Sequence, residues 1–147
     1  MSYVKVYVHF IWSTKNRKPL LTDDIRGDVF NHILENAKKK NIYIDFINGY
    51  VEHVHCLVSL NEDMGIGKIA QLLKGESSHW INKNGLTKYH FQWQSEYMAI
   101  GVGDDKLPIL RQYIANQEKH HQKISFTEEY NQFIKRYGFD IVRKDLG

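Results

Sequence analysis

Residues Glu52-His53-Val54-His55-Cys56-Leu57-Val58 constrain the fold of this chain more than any other stretch. The run has the composition of a β-strand, and side chains alternate between the two faces of a strand. His53 and His55 therefore share one face, while Val54, Cys56 and Val58 share the other. The apolar face needs a core to pack against. The opposite face presents two imidazoles a few ångströms apart, and imidazole is the commonest protein metal ligand. The chain must build a sheet with one buried face and one face able to hold a metal.

The remaining pattern supplies that sheet. Val4, Val6, Val8, Phe10 and Trp12 alternate with Lys5, Tyr7, His9 and Ser13, which predicts a first strand over residues 3–13. A basic loop follows, Lys15-Asn16-Arg17-Lys18-Pro19. Thr22 or Asp23 can cap a helix whose apolar face is Ile25, Val29, Ile33 and Ala37, and Lys38, Lys39 and Lys40 end it where cations suit the helix dipole. Ile42, Ile44 and Phe46 alternate as a second strand, and Asn48-Gly49 reads as a tight hairpin turn into the histidine strand. Ile69, Leu72, Leu73, Trp80 and Ile81 have helical spacing. Residues 91–102 read as a fourth strand, and Gly101-Val102-Gly103 as a flexible joint. Asp104, Asp105 and Pro108 open a third helix that runs to about His121, and a last short helix begins near Thr127 and stops at Gly138.

This β-α-β-β-α-β order is the split ferredoxin-like arrangement, shared with RNA-recognition folds: an α+β protein with an antiparallel sheet and two helices on one face. The tyrosine-bearing helix is an addition at the C-terminal end. Neither a low-complexity linker nor an internal repeat is visible. The expectation is a single domain over residues 1–147, of which about 124–147 form a short extension.

Composition narrows the setting. The single cysteine, Cys56, excludes an intramolecular disulfide, and with no apolar leader segment it points to a reducing cytoplasm. No apolar run approaches the roughly 20 residues of a membrane span. A net charge of +3 with 13% aromatic residues suits single-stranded nucleic acid, whose bases stack on rings while cations follow the backbone.

Tyr113 and Gln117 lie four residues apart and share a face of the third helix. Gln117 can offer its amide oxygen to a hard divalent cation, with Tyr113 one turn away as a nucleophile. Two imidazoles and one amide oxygen leave several positions open on an octahedral Mg2+ or Mn2+, which phosphate oxygens can fill. Lys15, Arg17 and Lys18 are candidates for gripping a phosphate backbone, and so are Lys74, Ser77 and Ser78 on the second helix. Other residues are set aside. His120 and His121 suit a helix end without any metal. His9 is expected to hydrogen-bond on the sheet surface. Glu52 precedes His53 and is expected on the opposite face. Cys56 is expected to be buried and inert, and Trp12, Trp80 and Trp93 belong to the core.

In this order and spacing the chain resembles the single-tyrosine HUH transposases of bacterial insertion sequences, the IS200-like family. The resemblance starts at His9-Phe10-Ile11-Trp12-Ser13-Thr14-Lys15 and continues through His53-Val54-His55, the histidine–hydrophobe–histidine motif that names the class. Lys74-Gly75-Glu76-Ser77-Ser78, Trp93-Gln94-Ser95-Glu96-Tyr97, Gly101-Val102-Gly103 and Tyr113-Ile114-Ala115-Asn116-Gln117 complete it. The resemblance implies that Tyr113 is the nucleophile and that His53, His55 and Gln117 hold Mg2+ or Mn2+. It implies a single-stranded DNA substrate marked by a hairpin near the element end, and a covalent 5′-phosphotyrosine intermediate. It also implies a homodimer in which the tyrosine helix can serve the partner's histidine pair. A domesticated branch associated with extragenic palindromes is an alternative, although the Asn116-to-His121 run leans towards the mobile-element form.

Two rival classes are weighed against this. A non-catalytic single-strand-binding module of RNA-recognition type predicts aromatics where His53 and His55 stand. A zinc hydrolase predicts a third histidine at zinc spacing and a companion glutamate on the same face.

Overall fold

The computed structural model describes residues 2–138. Its chain forms two compact units, one ending at Gln117 and the other beginning at Glu118. The first unit contains strands β1 (Val6–Ser13), β2 (Tyr43–Gly49), β3 (His53–Leu60) and β4 (Met98–Val102), with helices α1 (Asp23–Lys39), α2 (Ile66–Lys83) and α3 (Leu107–Ala115). The short helix α4 (Gln117–His121) starts at the junction, and α5 (Phe126–Arg136) belongs to the second unit. The tail of the expected C-terminal extension, 139–147, lies outside the described residues.

The four strands form one sheet in the order β2-β3-β1-β4, and every neighbouring pair is antiparallel. This is the order that the ferredoxin-like reading requires. Alternation sorts the faces. Val8, Phe10 and Trp12 of β1 join Val54, Cys56 and Val58 of β3 in the main core. Over them pack Val29, Phe30, Ile33 and Ala37 of α1 and Ile69, Ala70, Leu73 and Ile81 of α2. Cutting the fully buried Phe10 back to alanine would cost about 3–5 kcal/mol, the usual range for an aromatic core residue. Burial drives the Cys56 thiol pKa far upward, which leaves it inert as expected.

The opposite face is only partly open. Register places His9 beside Leu57, Ile11 beside His55 and Ser13 beside His53. Leu107 and Ile114 of α3 pack on Leu57, with Tyr7, Phe46, Val102, Leu110 and Tyr113 around them. The Arg111 guanidinium grips both carboxylate oxygens of Asp45 at 2.8 Å, which ties α3 to β2 and raises the Arg111 pKa.

Three local expectations need correction. The β2–β3 turn is Tyr50-Val51-Glu52 rather than Asn48-Gly49, and Gly49 still belongs to the strand. Glycine is needed there for space: a Cβ on Gly49 would sit 2.1 Å from the His53 carbonyl oxygen. The fourth strand is shorter than residues 91–102, because Lys74 intervenes. Its Nζ donates to the carbonyls of Gln94 (2.7 Å) and Ser95 (3.0 Å), groups that a neighbouring strand would otherwise satisfy. Phe91 and Trp93 enter the core from this loop, and Trp93 meets Thr14 only at an isolated bridge. Finally, the third helix does not run through to His121. It breaks at Asn116, whose φ of −95° and ψ of 19° leave the helical path.

Candidate active site

β3 and α3 bring the candidate residues together inside the first unit. His53 and His55 point to the face shared with His9, and both are fully buried. Their rings stand edge to face with centroids 5.0 Å apart. The Tyr113 ring meets the His55 ring edge-on at 5.8 Å.

The break after α3 aims Gln117. Asn48 on β2 donates from Nδ2 to the carbonyls of Ile114 (3.0 Å) and Ala115 (3.2 Å), two of the acceptors that a helix leaves orphaned at its end. Gln117 then turns inward and is fully buried. Its Nε2 donates to the Tyr113 carbonyl at 3.3 Å, so Oε1 faces His53 Nε2 at 2.9 Å.

Each histidine is held from behind. His53 Nδ1 lies 2.6 Å from Glu52 Oε1, and His55 Nδ1 lies 2.8 Å from His9 Nε2. Glu52 therefore does not face away as alternation suggested. It sits in the turn before β3 begins, where the strand rule does not apply. His9 has the sheet-surface hydrogen bond expected of it.

This arrangement can be tested for its fit to a divalent cation. The Glu52 carboxylate and the Gln117 amide oxygen are both acceptors, and a neutral imidazole carries a single N–H. With Nδ1 directed at Glu52, His53 Nε2 and Gln117 Oε1 are turned towards each other, as two donors to one cation would be. Adjacent donors on an octahedral cation with bonds of about 2.1 Å lie about 3.0 Å apart. The observed 2.9 Å between His53 Nε2 and Gln117 Oε1 has that spacing. His55, oriented through its own Nδ1, would add its Nε2. A carboxylate behind a ligating histidine is the usual means of fixing its tautomer. The residues present fit a divalent metal.

The basic loop has its own constraint. Asn16 and Arg17 adopt left-handed backbone (φ 58° and 54°), unusual for residues with a Cβ. The loop is tied down by Lys15 N to the Gln92 carbonyl (3.0 Å) and Asn16 N to Gln94 Oε1 (3.1 Å). Lys15 and Lys18 are exposed. Two members of the second-helix group behave otherwise than expected. Ser77 is buried, donating to the Leu73 carbonyl and accepting from Trp93 Nε1 at 2.9 Å, so it cannot reach a bound strand. Lys74 is half-buried over the 94–96 backbone, and its burial lowers its pKa. Ser78 stays nearer the surface, its hydroxyl bonded to the Gly75 carbonyl.

A histidine pair on a sheet, faced by a tyrosine on one helix and a glutamine at the start of the next, is the arrangement of a class of enzymes that move DNA strands through a tyrosine. The sequence profile described as "Transposase IS200 like" matches residues 2–117. The chain belongs to this family and is a DNA transposase of the single-tyrosine HUH class. No curated protein matches the chain. Among solved structures it is similar to a candidate transposase from Deinococcus radiodurans R1, with 24% identity and a TM-score of 0.64, covering 80% of this chain and 95% of that one. It is also similar to a REP-associated tyrosine transposase bound to a REP hairpin, with 18% identity and a TM-score of 0.63, covering 84% of this chain and 73% of that one. At these identities the two structures speak for the fold.

Glu52 and Asn48 are the site residues that sequence reasoning missed. A carboxylate next to a candidate ligand histidine was the available signal for Glu52. Nothing in the sequence marks Asn48 as the partner of a helix end more than sixty positions away. Exchanging Glu52 for Gln should weaken Mn2+ binding about 10–100-fold. Calorimetric titration of the two proteins reads this directly, and equal affinities would remove the carboxylate from ring orientation.

Proposed function

We propose that the chain cuts and rejoins single-stranded DNA at hairpin-marked ends, with Tyr113 as the nucleophile and His53, His55 and Gln117 as ligands of Mg2+ or Mn2+. The observation that carries this reading is the meeting of His53 Nε2 and Gln117 Oε1 at 2.9 Å, with the Tyr113 ring against His55. A bound divalent cation would polarise the scissile phosphodiester and favour ionisation of a nearby phenol, which otherwise ionises near pH 10.

The chain's own residues do the rest. Glu52 and His9 fix the two ring orientations, and Asn48 and Arg111 fix the end of α3, so that Tyr113 is positioned before substrate arrives. The Tyr113 oxygen attacks phosphorus, the bond from phosphorus to the 3′ oxygen breaks, and the strand leaves with a 3′-hydroxyl. The phosphate stays on Tyr113 as a 5′-phosphotyrosine. Attack by an incoming 3′-hydroxyl reverses these steps and releases the tyrosine, so the strand is rejoined without an outside energy source.

The hairpin substrate is proposed from family membership, together with the hairpin bound by the REP-associated relative. A homodimer and a cytoplasmic setting fit the family. Among the described residues no helix is long and apolar enough to cross a membrane. The buried histidines count against a purely RNA-recognition-type binder, which needs aromatics on that face.

The test is incubation of the protein with end-labelled hairpin DNA and Mn2+, followed by a denaturing gel. A band retarded by the mass of the protein is expected. Its absence with every hairpin sequence tried favours the non-catalytic binder. In the same system, replacing Lys15 and Lys18 together by alanine should flatten the dependence of log affinity on log salt by about 1.5, the share of two phosphate contacts. An unchanged slope would take the loop out of the interface.

A further inference from the structure

The second unit carries a group of ligand side chains that the reaction above does not use. Ser125 caps α5 by accepting from the Glu128 amide at 3.1 Å, which sets Glu129 in the first turn of the helix. A carboxylate is favoured there by the helix dipole. Glu129 is nevertheless almost fully buried, at 1% exposure. His120 Nε2 stands 3.1 Å from one of its oxygens and His121 Nε2 stands 3.3 Å from the other. One nitrogen from each imidazole and a carboxylate oxygen all lie within 4.8 Å of one another.

His121 Nδ1 donates to the Ile124 carbonyl at 2.9 Å, which turns its Nε2 towards Glu129. Tetrahedral donors with bonds of 2.0–2.1 Å are about 3.3–3.4 Å apart, and the 3.3 Å between His121 Nε2 and Glu129 Oε1 has that spacing. The unit is also short, beginning at Glu118. Its aromatic contacts include Phe126 with Tyr130 and Phe133 with Tyr137. Segments this short usually depend on a metal or another staple.

We propose that His120, His121 and Glu129 form a second divalent-cation site, one that ties α4 to α5. Two imidazoles and one carboxylate suit a borderline cation of the zinc class, with a fourth position left for water. Mg2+, which prefers oxygen ligands, is selected against. The role of the site is to hold the C-terminal unit together.

The experiment uses the full chain carrying His53→Ala and His55→Ala, stripped of metal and titrated calorimetrically with Zn2+. One equivalent is expected to bind and to raise the melting temperature. Adding Glu129→Gln should weaken that binding about 100-fold or more, since even the groups that merely orient ligands are worth 10–100-fold. Absence of a stoichiometric Zn2+ equivalent in the double-alanine protein overturns the proposal, as does an affinity that Glu129→Gln leaves unchanged. Should Glu129→Gln lose its far-ultraviolet helix signal, His120→Ala answers the same question by the same criterion.

Discussion

Tyr113→Phe removes one oxygen atom, and the covalent DNA adduct should disappear with it. Strand cleavage is expected to fall about 10^4-fold or more, as it does when a nucleophile is deleted from an otherwise intact site. Binding of the hairpin should hold within about threefold, because the ring keeps its packing with Leu57, Leu110 and Ile114. That separation of cleavage from binding is the signature of a nucleophile. A packing residue would lose both together or neither. Quantitative gels for cleavage and fluorescence anisotropy for binding give the two readings. Residual cleavage near the parent rate would assign the attack to another group.

His53→Ala should be nearly as damaging, for a different reason. It removes a proposed metal ligand and leaves both Glu52 and Gln117 without the ring that joins them. Cleavage is expected to drop about 10^3-fold or more, in keeping with the several kcal/mol that a metal ion contributes to a developing charge. EDTA should bring the parent protein to the same low rate, and added Mn2+ should restore the parent but not the variant. Cleavage that is indifferent to EDTA would remove the metal from the account, whatever the variant does.

The legible part of this molecule lies where periodicity and spacing act alone. Alternation along Val8, Phe10, Trp12 and along Val54, Cys56, Val58 identified the core face, so the face bearing His53 and His55 followed from it. The α+β order and the antiparallel pairing were readable for the same reason. The tyrosine helix was readable in position but not in shape. A spacing of four suggested one continuous face for Tyr113 and Gln117, yet the helix breaks between them and Gln117 reaches His53 from a second helix.

Most of what stayed hidden depends on long-range partners. Lys74 satisfies the backbone at residues 94–96, which interrupts the expected fourth strand. Glu52 escapes the alternation rule because it sits in a turn. Ser77 looked like a polar helix residue available to DNA, but its place between Leu73 and Trp93 buries it. Local pattern cannot see which distant atom a polar group will meet, and the cases of Lys74 and Ser77 turn on that.

The central claim is chemical: a particular phenol oxygen becomes bonded to DNA. Protein incubated with hairpin DNA and Mn2+ can be denatured, digested with protease and nuclease, and examined by tandem mass spectrometry. The account predicts a peptide spanning Tyr113 that carries a nucleotide on that side chain. A nucleotide on any other residue, from a reaction that has demonstrably cut the DNA, would contradict it.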